Sequence, residues 1–206
     1  MRQLGQKTLS DSLVALAAWD KQGLLVPHIS VNLSNAELRN PNLVDHIAME
    51  LDRCGLSANR LVLEVLETVV STNAGNIIEK NLNRLAKMGC GIDLDDFGTG
   101  HASITSIRKF AIQRIKIDRS FITHIDSDDE QRSMVAAILT MADRLCLDTL
   151  AEGVETPGEQ LTLTQLGCGH MQGFLLSKPM DGEATTNWLQ NRRNPDGGNV
   201  RKLYTA

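Results

Sequence analysis

Six short apolar runs, separated by segments of helical period, constrain the fold of this chain more than any other feature. They are HISVNLS (28–34), RLVLEVLE (60–67), GCGIDLDD (89–96), IQRIKID (112–118), LDTLAEGVE (147–155) and HMQGFLLS (170–177). Their apolar positions are nearly continuous rather than alternating, the pattern of strands buried on both faces of a parallel sheet. Between them, Leu43, Ile47 and Leu51 repeat every four residues after Asn40-Pro41, and Ile78, Leu82 and Leu85 line one face of a segment closed by Gly89. Met134, Ile138, Met141 and Leu145 do the same after Asp128-Asp129. Thr156-Pro157-Gly158-Glu159 has the form of a capping box with proline at the first helical position. A further helix is expected over about residues 9–19, and the crossover at 99–111 has room for only a turn or two. Strand alternating with helix through short loops makes parallel βα units, an α/β fold.

Composition narrows the function classes. A chain of 206 residues with 42% hydrophobic and 22% charged residues suits one well-packed domain and excludes disorder for its body. No apolar run reaches the roughly 20 residues a membrane helix needs, and no basic-then-apolar leader opens the chain. A formal charge of −4 offers no basic footprint for polymeric nucleic acid. Cys54, Cys90, Cys146 and Cys168 are widely spaced with no CxxC, which reads as buried reduced thiols of a cytosolic protein. The segment 191–206 has lost apolar periodicity and reads as a C-terminal tail.

Polar residues gather where the strands end. Asn32 closes the first run, Glu64 and Glu67 the second, and Asp95 and Asp96 the third. Lys116 and Asp118 close the fourth, Glu152 and Glu155 the fifth, and Gln172 lies in the sixth. Carboxyl ends of parallel strands are where α/β folds build active sites. A single acid there is usually a helix cap or a solvated loop residue; recurrence on successive strands weakens that explanation. Glu64, Asp95, Asp96 and Glu152 at one rim would repel unless some took up protons or a cation compensated them. Oxygen donors with one amide carbonyl, from Asn32, suit Mg²⁺ or Mn²⁺ better than zinc. Adjacent aspartates fit a pair of ions: one carboxylate bridges both while its neighbour binds the second. Paired ions about 3.5–4 Å apart are a recurring device for phosphodiester hydrolysis. Lys116 would orient the attacking water or neutralise a phosphate oxygen. Recruited cations would also let an acidic protein bind an anionic diester.

Competing chemistry is thin. His28, His46, His101, His124 and His170 show no pair with metal-ligand spacing. Cys168 and His170 are close, but strand alternation does not make them nucleophile and base. There is no GxGxxG or Walker loop; Gly98-Thr99-Gly100 reads as a loop following a ligand pair.

With these residues assembled, the chain resembles the EAL-domain family of cyclic di-GMP phosphodiesterases. VNLS (31–34), LEVLE (63–67), DLDDFGTG (93–100), IKIDRSF (115–121), AEGVE (151–155) and MQGFLLSKP (171–179) occur in family order across about residues 8–182. The resemblance implies a TIM-like (β/α) barrel and metal-dependent hydrolysis of cyclic di-GMP to linear pGpG. It implies that Asn32, Glu64, Asp95, Asp96 and Glu152 are metal ligands and that Lys116 assists the water. Asp118, Glu155 and Gln172 would shape the site, and Glu67 would anchor the loop beginning at Gly98. The implied cofactors are two Mg²⁺ or Mn²⁺ ions and the implied partner is cyclic di-GMP, in a cytoplasmic setting without membrane contact by this segment. A homodimer and an upstream sensor or GGDEF-type domain stay open.

The chain also departs from the family. Six βα units are legible where a closed barrel has eight, so residues 1–190 read as an EAL-type domain lacking its first two strands. The Glu-Ala-Leu motif, which supplies another metal ligand, and a nearby phosphate-binding arginine are absent. A fragment of a longer protein is the first explanation, and a natural short form completed by dimerisation or strand exchange the second. Leu66 stands where the family usually has threonine, and His101-Ala102 where Tyr-Ser is common. Weak or absent turnover by the 206 residues alone is the expectation. The alternatives are a non-catalytic cyclic di-GMP receptor and, less closely, another metal-dependent barrel hydrolase.

Overall fold

Each of the six apolar runs contributes a strand, β1 to β6 in chain order. The computed structural model describes residues 2–71, 76–99 and 104–193. Gly100, His101-Ala102 and the tail from residue 194 onward lie outside the described residues. The chain forms two compact units, Met1–Asp95 with Thr99–Gln113, and Asp96–Gly98 with Arg114–Ala206.

The first unit opens with helix α1 (Arg2–Lys21), which buries Leu9, Leu13, Leu16 and Trp19. It begins seven residues before the expected 9–19 segment. Its first turns carry no apolar stripe, so periodicity had nothing to report there. Strand β1 (Ile29–Asn32) pairs in parallel with β2 (Leu61–Leu66), and β2 with β3 (Gly91–Phe97). Five of the six β2 residues are buried, as the continuous run LVLEVL requires. Between them come α2 (Asn35–Leu38), α3 (Leu43–Cys54), α4 (Glu67–Ser71) and α5 (Asn76–Met88), and α6 (Ile104–Lys109) follows β3. Ser34 caps α2 through a reciprocal box with Glu37, and Gly55 ends α3 at φ +67°. Arg60 ties the strand entrances together. It meets Asp20 at 2.8 Å and donates to the carbonyls of Val26 (2.8 Å) and Pro27 (2.7 Å), fixing the approach to β1 beside the start of β2.

The second unit carries β4 (Arg114–Ile117), β5 (Asp148–Ala151) and β6 (His170–Met171), again in parallel pairs. Its helices are α7 (Asp129–Arg144), α8 (Pro157–Leu166) and α9 (Gly182–Arg193). Asp128 caps α7 by accepting from the Glu130 and Gln131 N–H groups. Thr156 caps α8 with the expected box and Pro157 in its first turn. Ile117, Ile122, Ile125, Val135, Leu139, Ala151, Val154 and Leu163 form the core between β4, β5, α7 and α8. Helix α9 runs past residue 190 to Arg193. No helix among the described residues is long and apolar enough to cross a membrane. The expectation of buried thiols holds for Cys90 and Cys168, while Cys54 is half-buried and Cys146 exposed. Cys146 falls in the turn before β5, at φ +56°, where the chain passes over the surface.

Candidate active site

Register explains how the first unit assembles its donors. Asn32 lies opposite Glu64, Glu64 opposite Asp93, and Leu66 opposite Asp95. Parallel partners share a face and side chains repeat every second residue. Asn32, Glu64, Asp93 and Asp95 therefore stand on one side of the sheet, toward the carboxyl ends of β1, β2 and β3. Glu64, Asp93 and Asp95 are buried, whereas Asn32 is exposed. Asp93 was not singled out in the sequence, although its i,i+2 spacing from Asp95 is the signal that places both on one face. Glu67, also buried, opens α4 directly after β2.

Asp96 and Glu152, together with Asp95, the residue bonded to Asp96, each offer a carboxylate oxygen, and these atoms all lie within 4.8 Å of one another. Lys116 Nζ lies 2.7 Å from Glu152 Oε1, with side chains 4% and 19% exposed respectively. Removing either partner of such a largely buried pair would leave the other charge uncompensated. Backbone hydrogen bonds fix its frame: the Glu152 N–H donates to the Ile117 carbonyl at 3.1 Å, and the Gln172 N–H to that of Ala151 at 2.8 Å.

The other expected residues serve the frame in different ways. Asp118 accepts from the Ser120 N–H at 2.9 Å and so caps the 3-10 turn Arg119–Phe121 after β4. Glu155 and Gln172 are exposed on the loops after β5 and β6. The glycines of AEGVE and MQGF are required by close packing. A Cβ on Gly153, at φ +70°, would come 2.5 Å from Arg119 Cβ, and one on Gly173 would come 2.1 Å from the Val154 carbonyl oxygen. Glu159 is a buried carboxylate with an unforeseen part. It accepts from the backbone N–H groups of Glu155 (2.8 Å), Thr156 (3.0 Å) and His124 (3.1 Å), joining the loop after β5 to the loop after β4. Burial pushes its pKa up, but these hydrogen bonds outweigh that and hold the carboxyl below its ordinary value.

Cys168 and His170 do not form a thiol–imidazole pair. The Cys168 thiol donates to the His170 backbone carbonyl at 3.3 Å, while the imidazole Nε2 faces Asp148 Oδ2 at 2.8 Å. Burial pushes the Cys168 thiol up, away from the thiolate a nucleophile needs.

Asp95, Asp96 and Glu152 bring carboxylate oxygens within 4.8 Å of one another, and Lys116 lies against Glu152. The sequence profile of the EAL domain matches residues 1–179. The chain belongs to the EAL domain family. It is 37% identical over 181 residues to the bifunctional diguanylate cyclase/cyclic di-GMP phosphodiesterase MucR of Pseudomonas aeruginosa, covering 88% of this chain and 26% of MucR. It is 35% identical over 178 residues to the cyclic di-GMP phosphodiesterase NbdA of the same organism, covering 86% of this chain and 23% of NbdA. The chain thus spans about a quarter of the length of these curated relatives. The solved structure of the PaMucR phosphodiesterase in complex with c-di-GMP aligns with a TM-score of 0.83 at 37% identity, over 89% of this chain and 74% of that one. The manganese/cy-diGMP complex of BlrP1 from Klebsiella pneumoniae aligns with a TM-score of 0.72 at 28% identity, over 82% of this chain and 44% of that one. EAL domains have a TIM-like barrel fold, and the six parallel strands of this chain belong to that α/β class.

Proposed function

We propose that residues 1–190 form part of a cyclic di-GMP phosphodiesterase domain that hydrolyses its substrate to linear pGpG with Mg²⁺ or Mn²⁺. The observation that carries this reading is the group Asp95, Asp96 and Glu152, with Lys116 held 2.7 Å from Glu152. Its donors are all oxygens, which fits a hard divalent cation and disfavours zinc. Asp95, Asp96 and Glu152 would hold such a cation, and Asn32 and Glu64 would extend the donor set to a second. When bound, these ions supply Lewis-acid activation of water and charge neutralisation on the phosphate.

The chain's own residues do the rest. Lys116 stands near the carboxyl end of β4, where it would orient water or meet a phosphate oxygen. Asp118 fixes the turn after β4, and Glu155 and Gln172 shape the substrate side. Glu67 anchors the loop beginning at Gly98. The solved c-di-GMP complex of the PaMucR phosphodiesterase supports the choice of ligand, and the manganese complex of BlrP1 the choice of metal. The setting that follows is a cytoplasmic signalling protein.

A receptor that binds cyclic di-GMP without cutting it is the second reading. Calorimetry with cyclic di-GMP and Mn²⁺, followed by ion-exchange chromatography of the same mixture, separates the two. Binding with pGpG formation supports the enzyme, and binding with intact cyclic di-GMP the receptor.

A further inference from the structure

We propose that Lys116 is a built-in counter-cation that occupies the acidic site when no metal is present and must leave Glu152 before a metal can bind. This rests on the reading of Asp96 and Glu152 as cation ligands. Glu152 shares its neighbourhood with Asp96 and Asp95, all three offering oxygens within 4.8 Å. Carboxylates this close and largely screened from water need a positive charge nearby or must take up protons. The Lys116 ammonium supplies that charge, 2.7 Å from Glu152 Oε1 on a side chain that is 4% exposed.

A divalent ion seated on Glu152 would stand beside this ammonium, and two cations sharing one carboxylate repel. An ion on Glu152 would therefore compete with Lys116, and the contact would hold metal affinity down by the free energy needed to break it. The coupling is reciprocal, so the ion that displaces Lys116 also frees it. The released ammonium is then available to a phosphate oxygen or the attacking water. In this arrangement the metal-free protein protects its acidic cluster from self-repulsion, and Lys116 takes up its role in the reaction only after the cation has arrived.

The experiment is a Mn²⁺ titration, followed by the electron paramagnetic resonance signal of free Mn²⁺, on the wild-type chain and on K116M, K116R, D96N and E152Q. Methionine matches the stem of lysine without its charge, so K116M should bind Mn²⁺ at least about 10-fold more tightly than wild type. K116R keeps the charge and should not tighten. Thermal melts guard against a folding artefact: K116M should melt lower than wild type without metal and gain more from saturating Mn²⁺. Equal or weaker Mn²⁺ binding by K116M, with no larger melting gain, overturns the proposal. If D96N and E152Q still lose Mn²⁺ in that case, the metal site stands and only the competition falls. If neither variant changes Mn²⁺ binding, both fall.

Discussion

The carboxylates of Asp95 and Asp96 converge although the two residues are neighbours on one strand: their oxygens belong to a group in which every atom lies within 4.8 Å of the others. In a regular strand consecutive side chains point to opposite faces. Asp96 departs from that geometry with φ +53°, a left-handed conformation that aspartate, asparagine and glycine tolerate better than other residues. A local backbone turn at the strand end thus lets adjacent acids serve one site, and backbone strain at functional residues commonly has such a purpose.

The two properties of Asp96 separate by substitution. D96N keeps the tolerated backbone conformation and removes the charge, so it should fold with near wild-type stability while losing Mn²⁺ affinity. D96A should lose both, with an added destabilisation of about 1 kcal/mol from the left-handed backbone. Urea denaturation alongside a Mn²⁺ titration measures the two effects independently.

Metal choice follows from size. In a complete EAL domain carrying this chain, Mg²⁺ and Mn²⁺ should sustain turnover, and Ca²⁺, with its larger and looser oxygen shell, should inhibit it. Adding Ca²⁺ to a Mn²⁺-supported reaction and following the rate checks this.

Glu159 should make stability depend on acid pH. Its folded pKa is depressed, so its contribution is complete above the unfolded glutamate value, about 4.3, and is lost as the pH falls through the lower folded value. E159Q should therefore be less stable than wild type at pH 7, with the gap closing as the solution is acidified below pH 4.5. Unfolding midpoints across that range report it.

The backbone contact between Gly173 and Val154 leaves no room for a methyl group. G173A should destabilise the chain by about 1–3 kcal/mol, the usual cost of overpacking. Because Gln172 pairs with Ala151 and Val154 through its backbone, the same change should weaken cyclic di-GMP binding, measurable by calorimetry.

What could be read in advance depended on whether the signal was local. The six strands were legible because two-sided burial writes a continuous apolar run, as in LVLEVL. The cap of α8 was legible because Thr156 and Glu159 stand three residues apart. The box of Ser34 and Glu37 obeys the same spacing and was equally readable. The first turns of α1 were not, because no apolar stripe marks them before Leu9. The bond from His124 to Glu159 spans 35 residues, and the left-handed backbone of Asp96 follows from how the strand end is held; neither has a local pattern. The acids at the strand ends were visible as a list, while the contact of Lys116 with Glu152 required the pairing of β4 with β5.

The most direct test of the central claim is a single-turnover reaction with protein in excess over cyclic di-GMP and Mn²⁺ present, followed by chromatography of the products. The account predicts that a complete EAL domain carrying this chain forms pGpG, that chelation of Mn²⁺ stops it, and that D95N in that domain slows it on the order of 100-fold or more. Formation of pGpG by D95N at the wild-type rate would contradict it.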